Sequence, residues 1–453
     1  MKRKALIFLE NWLTQSGRKP LVLRGARQVG KTHLVRELAR VKQLELIELN
    51  FEKNPEHKSL FASNDVKKIM LSLEALQNKV IDVHASLLFL DEIQVAPELL
   101  AKLRWFAEEL PELAVIATGS LLDFVLNEHD FSMPVGRISY FHLEPLSFEE
   151  FLIATDRYKT VEYLESYHLG DEIPQALHEQ LLGWLRDYFL IGGLPASIVA
   201  WLQSESLLTV SQVHQDLLAT YRDDFNKYAR RINKERLEEV LFSLPKQLGG
   251  KFVYSHVNKD IPSVTLKRAL ELLCTARVCH RVFSNQAQGI PLASGKKSTP
   301  FKVILLDTGL IHSLMGLNMQ QLQQPFQLLY EGPMAEQFVG QMLRVLNPYF
   351  IEPELYYWSR EISHSNAEVD YILQHGQHLI PIEIKAGRTG TLKSLHLLMG
   401  MRQWQLAVRF NTDHPSVTRI DVTTTLQQQV QYQLLSLPLY LIGQLRRLID
   451  EVQ

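Results

Sequence analysis

The sequence predicts an α/β fold, with a parallel sheet in the first third of the chain and a second α/β arrangement in the last. Short apolar strands alternate with amphipathic helices up to about residue 145, the pattern of a parallel sheet covered on both faces. After Pro145 long amphipathic helices take over, a hairpin-like extended segment interrupts them from Val278 to Leu306, and strand-like runs resume beyond Gly332. At 453 residues the chain exceeds what one hydrophobic core supports, so these changes of pattern mark domains.

The elements follow in order. Leu21 to Arg24 is a short apolar strand, followed by a glycine-bounded loop and a helix from about Lys31 to Arg40. Leu44 to Phe51, Ala85 to Leu90 and Leu113 to Ala117 read as further strands, separated by helices at Val66 to Gln77 and Glu98 to Glu109. Helices at Ser147 to Ala154, Gln175 to Leu190 and Leu207 to Lys227 form a connector, broken at Gly192-Gly193-Leu194-Pro195. Then come a helix (Lys234 to Leu248), a short helix (Tyr254 to Val257), a turn at Asp260 to Pro262 and a helix (Ser263 to Cys274). A hairpin-like segment through Val278 to Leu306 follows, with a loop at Gly289 to Thr299 inside it, the order of a winged helix-turn-helix. The last part gives a helix from Gly332 to Leu346, strands at Leu355 to Trp358, Glu368 to Leu373 and Leu379 to Lys385, a helix from Leu392 to Gln405 and a strand near Thr418 to Val422. The expected domains are therefore 1–145, 146–230, 231–325 and 326–453.

Composition narrows the function classes. Apolar residues at 46% and charged residues at 22% supply full cores and exclude global disorder. A net charge of -2 confines any nucleic-acid site to a local patch. No apolar run approaches a membrane span and no leader pattern opens the chain, so no membrane partner is expected and the expected location is cytoplasmic. Cys274 and Cys279 lack a second ligand pair for zinc and read as buried free thiols. The histidines, His256 and His280 among them, show no ligand spacing.

Gly25-Ala26-Arg27-Gln28-Val29-Gly30-Lys31-Thr32 fits the phosphate-loop pattern in full, between a strand and a helix where its mechanism requires it. The glycines let backbone N–H groups turn around the β-phosphate, Lys31 neutralises β- and γ-oxygens, and the Thr32 hydroxyl is a magnesium ligand. Leu87 to Leu90 is an apolar strand ending in Asp91-Glu92; Asp91 would hold the Mg2+ shell and Glu92 would orient and activate the attacking water. Ser120, with Thr118 as the alternate, would lie beside the γ-phosphate at the end of a third strand. Arg137 is a candidate to reach a γ-phosphate in its own or a neighbouring subunit of a homo-oligomer, against the plainer reading of a solvated side chain. The expected ligand is ATP.

These motifs, with Leu-Asp-Glu-Ile-Gln (90–94), Ala-Thr-Gly-Ser (117–120), Val-Gly-Arg (135–137) and Pro145-Leu146-Ser147-Phe148, resemble the prokaryotic AAA+ ATPases close to the archaeal and STAND-type branch. The resemblance extends to Gly192 to Pro195, Tyr221 to Asp224, Leu306 to Leu310 and Glu368 to Lys385. It implies a P-loop AAA+-like sheet domain followed by a C-terminal region whose role the family leaves undefined.

Glu383 and Lys385, two apart on a strand, project from one face, with Asp370 from the adjacent strand. Two carboxylates can hold a divalent metal, Mg2+ or Mn2+, while the lysine positions water; Glu336 on the preceding helix could add a third acid. Asp370, Glu383 and Lys385 resemble the PD-(D/E)xK core of restriction-type nucleases, with Glu336 as its helix acid, and imply a restriction-endonuclease-like fold; the bland alternative is an edge strand of alternating charge. Ser263, Thr265, Lys267 and Arg268, with Lys296 and Lys297 on the wing, could contact DNA phosphates, though winged helices also serve purely as packing modules. The expected function is a Mg2+-dependent ATPase coupled to a DNA-binding, nuclease-like region in nucleic-acid processing or defence. The competing expectation is a non-cutting ATP-operated switch or scaffold that binds DNA or a protein partner.

Overall fold

Five strands, β1 (Leu21–Arg24), β2 (Glu45–Asn50), β3 (Ser86–Asp91), β4 (Ala114–Thr118) and β5 (Ser139–His142), form one sheet in the order β2-β3-β4-β1-β5. Every pairing in it is parallel. All six residues of β3 are buried, as its Ser-Leu-Leu-Phe-Leu-Asp sequence requires of a strand with neighbours on both sides and helices on both faces. The computed structural model describes all residues except 121, 125–135, 229–231, 317–330, 363, 364 and 386–390. For 225–228, 331, 361, 362, 365 and 366 it describes the backbone alone. Val135 and the expected domain boundaries after residues 230 and 325 thus lie outside the described residues.

The chain divides into two compact units. The first comprises Met1–Glu144, Thr275–Arg277 and Asn347–Pro353. It holds the parallel sheet with helices α1 (Ala5–Thr14), α2 (Lys31–Lys42), α3 (Val66–Gln77) and α4 (Leu99–Glu109). Val22, Leu49, Leu88, Leu90, Val115 and Ala117 of the strands pack against Ile69, Leu73, Leu103 and Phe106 of the helices in one buried cluster. Asp65 caps α3 by accepting from the Lys67 and Lys68 N–H groups, which fixes where that helix starts. The 347–353 segment completes the edge beyond β5: His142 N–H donates to Tyr349 O at 2.7 Å, and the Phe141 and Tyr349 rings stack at 4.9 Å.

The second unit comprises Pro145–Cys274, Val278–Leu346 and Glu354–Gln453. Its helical part runs through α5 (Phe148–Ala154), α6 (Tyr158–Ser166), α7 (Gln175–Ile191), α8 (Pro195–Ser204), α9 (Leu207–Tyr228), α10 (Lys234–Ser243) and α11 (Ser263–Thr275). A reciprocal capping box between Ser147 and Glu150 opens α5. Strands β6 (Cys279–Asn285) and β7 (Lys296–Leu305) form the expected antiparallel hairpin. That hairpin does not stand alone, because β6 also pairs in parallel with β8 (Leu355–Ile362), which pairs with β9 (Ser365–Val369), giving the order β7-β6-β8-β9. Helices α12 (Gly309–Leu314) and α13 (Glu331–Val345) lie between β7 and β8 in sequence.

A second sheet, in the order β10-β11-β12-β14-β13, is built from β10 (Tyr371–His375), β11 (His378–Ile384), β12 (Leu406–Asn411), β13 (Ser416–Thr423) and β14 (Gln429–Pro438). Helices α14 (Lys393–Arg402) and α15 (Leu445–Val452) accompany it. The expected single strand from Glu368 to Leu373 is two strands in two sheets, with Asp370 at the break between β9 and β10.

Two of the motifs noted in the sequence meet in the buried heart of this unit. The Asp307 carboxylate accepts from Gly193 N–H at 2.7 Å, Gly309 N–H at 3.0 Å and the Gln341 amide at 2.9 Å. A Cβ at Gly192, whose φ is +79°, would stand 1.8 Å from Asp307 Oδ1, so glycine is required there both by conformation and by space. Burial pushes the Asp307 carboxyl up to about 6 against these three donors.

Candidate functional site

The strand order brings the nucleotide motifs together. Strand β4 lies between β1 and β3, and all three are parallel, so the phosphate loop, Asp91-Glu92 and Thr118 to Ser120 emerge at the same carboxyl edge of the sheet. Gly25 has φ +152°, and a Cβ on it would meet Leu143 O at 2.4 Å, so glycine alone lets the loop leave β1 this close to its neighbour. Gln28 and Gly30 also take positive φ, at 69° and 95°. Gly30 is the N-cap of α2 and offers no side chain to the first-turn N–H groups. Those donors and the positive end of the helix dipole form a cradle for an anion.

Lys31 is buried, and its ammonium donates to Gly25 O at 3.0 Å and Ala26 O at 2.8 Å. Burial pushes it down to about 8, against the pull of Glu92 and with a further push from the Arg277 charge. The Thr32 hydroxyl stands 3.3 Å from both oxygens of Asp91. Asp91 also accepts from the Thr118 hydroxyl and, at 3.1 Å, from the Asn50 amide. Burial raises the Asp91 carboxyl above its ordinary value, with Thr118 working against that rise. Glu92 takes φ 54°, which turns it out of the strand, and its Oε2 accepts from the Gln94 amide and, at 3.4 Å, from the Ser120 hydroxyl. The Ser120 hydroxyl thus contacts Glu92 and the Thr118 hydroxyl contacts Asp91.

Arg137 is not brought to this edge. It precedes Ser139, which pairs with Leu21 at the beginning of β1, whereas the loop follows Arg24 at its end. Its guanidinium pairs instead with Glu108 at 2.7 Å. A strand of four residues separates the two ends by roughly 13 Å, so Arg137 does not reach a phosphate held by its own loop.

Several residues of the site carry no local motif. Arg3 donates to Val29 O at 3.1 Å and to Glu144 O at 2.8 Å, bracing the loop from α1's leading segment. Arg24 pairs with Asp123, which also accepts from Arg277 at 2.5 Å; Arg277 in turn pairs with Glu352 at 2.8 Å. Burial alone would raise the Asp123 carboxyl, but Arg277 and Arg24 outweigh it and hold it below its ordinary value. His142, at the end of β5, is pushed down to about 4 by burial and by Arg277. The expected thiols Cys274 and Cys279 are free, Cys279 buried and Cys274 half-buried, with their sulfurs 3.7 Å apart.

The C-terminal residues also assemble. Tyr371 pairs with Ile382, so the β10–β11 hairpin sets Asp370 against Glu383, and Asp370 Oδ2 accepts from Ile384 N–H at 2.8 Å. Lys385 pairs with Glu383 at 2.6 Å. Glu383 is buried, and its Oε2 has no hydrogen-bond partner. Burial, and then the Asp370 charge, push its carboxyl up to about 8. The Lys385 ammonium is held above its ordinary value because Glu383 outweighs the cost of burial.

Lys302 on β7 was not anticipated. Its side chain is 2% exposed, and its ammonium lies 2.8 Å from Glu336 Oε1, 2.5 Å from Glu368 Oε1 and 3.8 Å from Asp370 Oδ1. The Tyr357 ring centroid is 5.2 Å away. Burial works against this charge, but the carboxylates outweigh it and the group is raised. Among the described residues no three acids, histidines or cysteines are placed to hold a metal ion together.

A parallel sheet with a phosphate loop after its first strand and an Asp-Glu pair after its third defines a P-loop ATPase domain. Residues 17–152 match the family described as AAA domain, so this region is an ATPase domain of the AAA type, a kind that binds ATP, usually with Mg2+. Residues 182–321 match a family described as Domain of unknown function (DUF8612), and residues 331–438 one described as Domain of unknown function (DUF4143). Among solved structures the chain is similar to a Walker-type ATPase of Pyrococcus abyssi, at 17% identity over 69% of this chain and 95% of that one, with a TM-score of 0.43. It is similar to the ORC2 protein of Aeropyrum pernix, at 13% identity over 71% and 94%, TM-score 0.36. A STAND protein of Pyrococcus horikoshii with a tetratricopeptide repeat sensor is similar at 14% identity over 77% of this chain and 46% of that one, TM-score 0.27. No curated protein matches the chain. No helix among the described residues is long and apolar enough to cross a membrane.

Proposed function

We propose that the chain is a Mg2+-dependent ATPase coupled to a DNA-binding, nuclease-like C-terminal region that acts in nucleic-acid processing or defence. The observation that carries the ATPase is the convergence of Lys31, Thr32, Asp91 and Glu92 on one sheet edge. Thr32 Oγ1 and the Asp91 carboxylate face each other at 3.3 Å and suit the coordination shell of Mg2+. Mg2+ would supply charge neutralisation of the β- and γ-phosphate oxygens. Lys31 would leave its two carbonyl partners for those oxygens, while the α2 N-terminus receives the β-phosphate. Glu92, held by Gln94 and Ser120, would take the proton of the attacking water. The test is ATP turnover: Lys31→Ala abolishes it, and Glu92→Gln retains nucleotide binding while lowering kcat at least about a hundredfold. Turnover by Glu92→Gln at the unchanged rate overturns the assignment.

For the C-terminal region, Asp370 and Glu383 suit a divalent cation, Glu383 by its buried Oε2 that has no partner. Such a cation would supply Lewis-acid polarisation of a phosphodiester. Lys385 would position the attacking water, and Asp370, anchored through Oδ2 by the Ile384 N–H, would offer its carboxylate to the cation. Cleavage of plasmid and single-stranded DNA with Mg2+ or Mn2+, with and without ATP, tests it, Lys385→Ala being the control. Loss of cleavage in that variant supports the nuclease. A second reading, a switch or scaffold that binds DNA or a protein and cuts nothing, is favoured by Lys302, whose ammonium already pairs with Glu336 and Glu368 and lies 3.8 Å from Asp370. Intact ATP turnover without cleavage of any substrate selects it.

A further inference from the structure

Three acids from three different elements, Glu336 of α13, Glu368 of β9 and Asp370 at the β9–β10 break, converge on one buried ammonium. A lysine this enclosed would be costly without paired charge, so the carboxylates and Lys302 depend on each other. Lys302 is placed by the hairpin register, opposite Val282 of β6, and lies over the Tyr357 ring of β8. It therefore belongs to the element preceding α12 and α13, not to the strand pair that carries Asp370, Glu383 and Lys385. Glu383, 5% exposed and opposite Asp370 in the hairpin register, keeps one oxygen, Oε2, without a hydrogen-bond partner. The cluster thus holds a cation of its own beside a carboxylate that Lys385 engages through Oε1 and whose Oε2 has no hydrogen-bond partner.

We propose that Lys302 is a built-in competitor for divalent cations at the Asp370–Glu383 site, a positioning residue that fixes how tightly the site takes a metal. The proposal rests on reading Asp370 and Glu383 as a cation site. The ammonium draws Asp370 toward Glu336 and Glu368 and repels a second positive charge a few ångströms away. A divalent ion enters only by sharing Asp370 with Lys302, so the resting site is weak. A movement of β7 that withdraws Lys302 would release Asp370 and strengthen the site with no change in the ligands themselves.

The experiment is a titration of the full chain with Mn2+, free ion being read by electron paramagnetic resonance, without nucleotide so that the phosphate loop offers no chelate. Lys302→Met binds Mn2+ at least about tenfold more tightly than the wild type, as removal of one nearby positive charge requires. Adding Glu383→Gln to that variant abolishes the gain. Should Lys302→Met fail to fold, Lys302→Met/Glu368→Gln removes the ammonium together with one of its carboxylates and is read in the same titration. Equal Mn2+ affinity in wild type and the Lys302 variant overturns the competitor role and leaves the cation site standing. No Mn2+ binding in either, or a gain that survives Glu383→Gln, overturns both.

Discussion

Gly119 shows how closely the Glu92 carboxylate is fitted. A Cβ there would stand 2.3 Å from Gln94 Oε1, the far end of a flexible side chain, so Gly119→Ala displaces the Gln94 amide from Glu92 without forcing the backbone to move. The expected outcome is a fold of unchanged thermal midpoint whose kcat falls about ten- to hundredfold, with KM for ATP unchanged, because Glu92 loses its orientation. Steady-state kinetics alongside a melting curve check it. His214 carries a different consequence. Fully buried, with Nε2 3.0 Å from Ile191 O, it is held neutral, and burial pushes it down to about 4. Its folded value lies below its unfolded one near 6.5, so its contribution is whole above that value and is lost as pH falls toward 4. Between pH 7 and pH 5 this amounts to about 2 kcal/mol. His214→Gln should therefore show a shallower decline in unfolding free energy over that interval, by about that amount, in urea titrations. Asp307, raised to about 6, works with the opposite sign and is common to both proteins.

At the scale of elements, the knot around Asp307 ties the end of α7 to the start of α12. Asp307→Ala leaves the N–H groups of Gly193 and Gly309 and the Gln341 amide without their shared acceptor inside the unit. That costs about 3 kcal/mol or more, seen as a lower urea midpoint, whereas Asp307→Asn, which keeps an acceptor oxygen, loses less. Motifs such as Gly192 to Pro195 and Leu306 to Leu310 were visible as sequence, but their partnership was not, because 114 residues separate Gly193 from Asp307. The same distinction runs through the site. The phosphate loop and Asp91-Glu92 are contiguous chemistry on strand ends and were legible. Arg3, Asp123, Arg277 and Lys302 act from elsewhere in the chain through charge and burial, which no local pattern records. Strand β5 escaped because Ser-Tyr-Phe-His has neither length nor alternation, and is a strand only because β1 lies beside it. The hairpin of β6 and β7 was legible as local pairing, whereas its union with β8 is a pairing between distant segments.

At the scale of the molecule, two compact units share one chain that passes repeatedly between them in sequence. A fragment ending at residue 152, the limit of the AAA domain match, lacks the Tyr349 carbonyl and ring that cover His142 and Phe141, and lacks Arg277 beside Asp123. Such a fragment should melt well below the ATPase unit of the whole chain and be cut faster by protease near β5. An equal melting temperature for fragment and intact unit would show that the later segments contribute nothing to it.

The interleaving of segments also sets a clock on synthesis. A ribosome making this protein releases the phosphate loop and all five strands of the parallel sheet within its first 142 residues, yet the last piece of that unit, Asn347–Pro353, emerges some two hundred residues later. At translation speeds of about 5–20 residues per second, the nascent unit waits at least roughly ten seconds without the Tyr349 ring against Phe141. Through that wait the nascent chain is exposed to chaperones and proteases, and codons that slow elongation between residues 145 and 346 would prolong it.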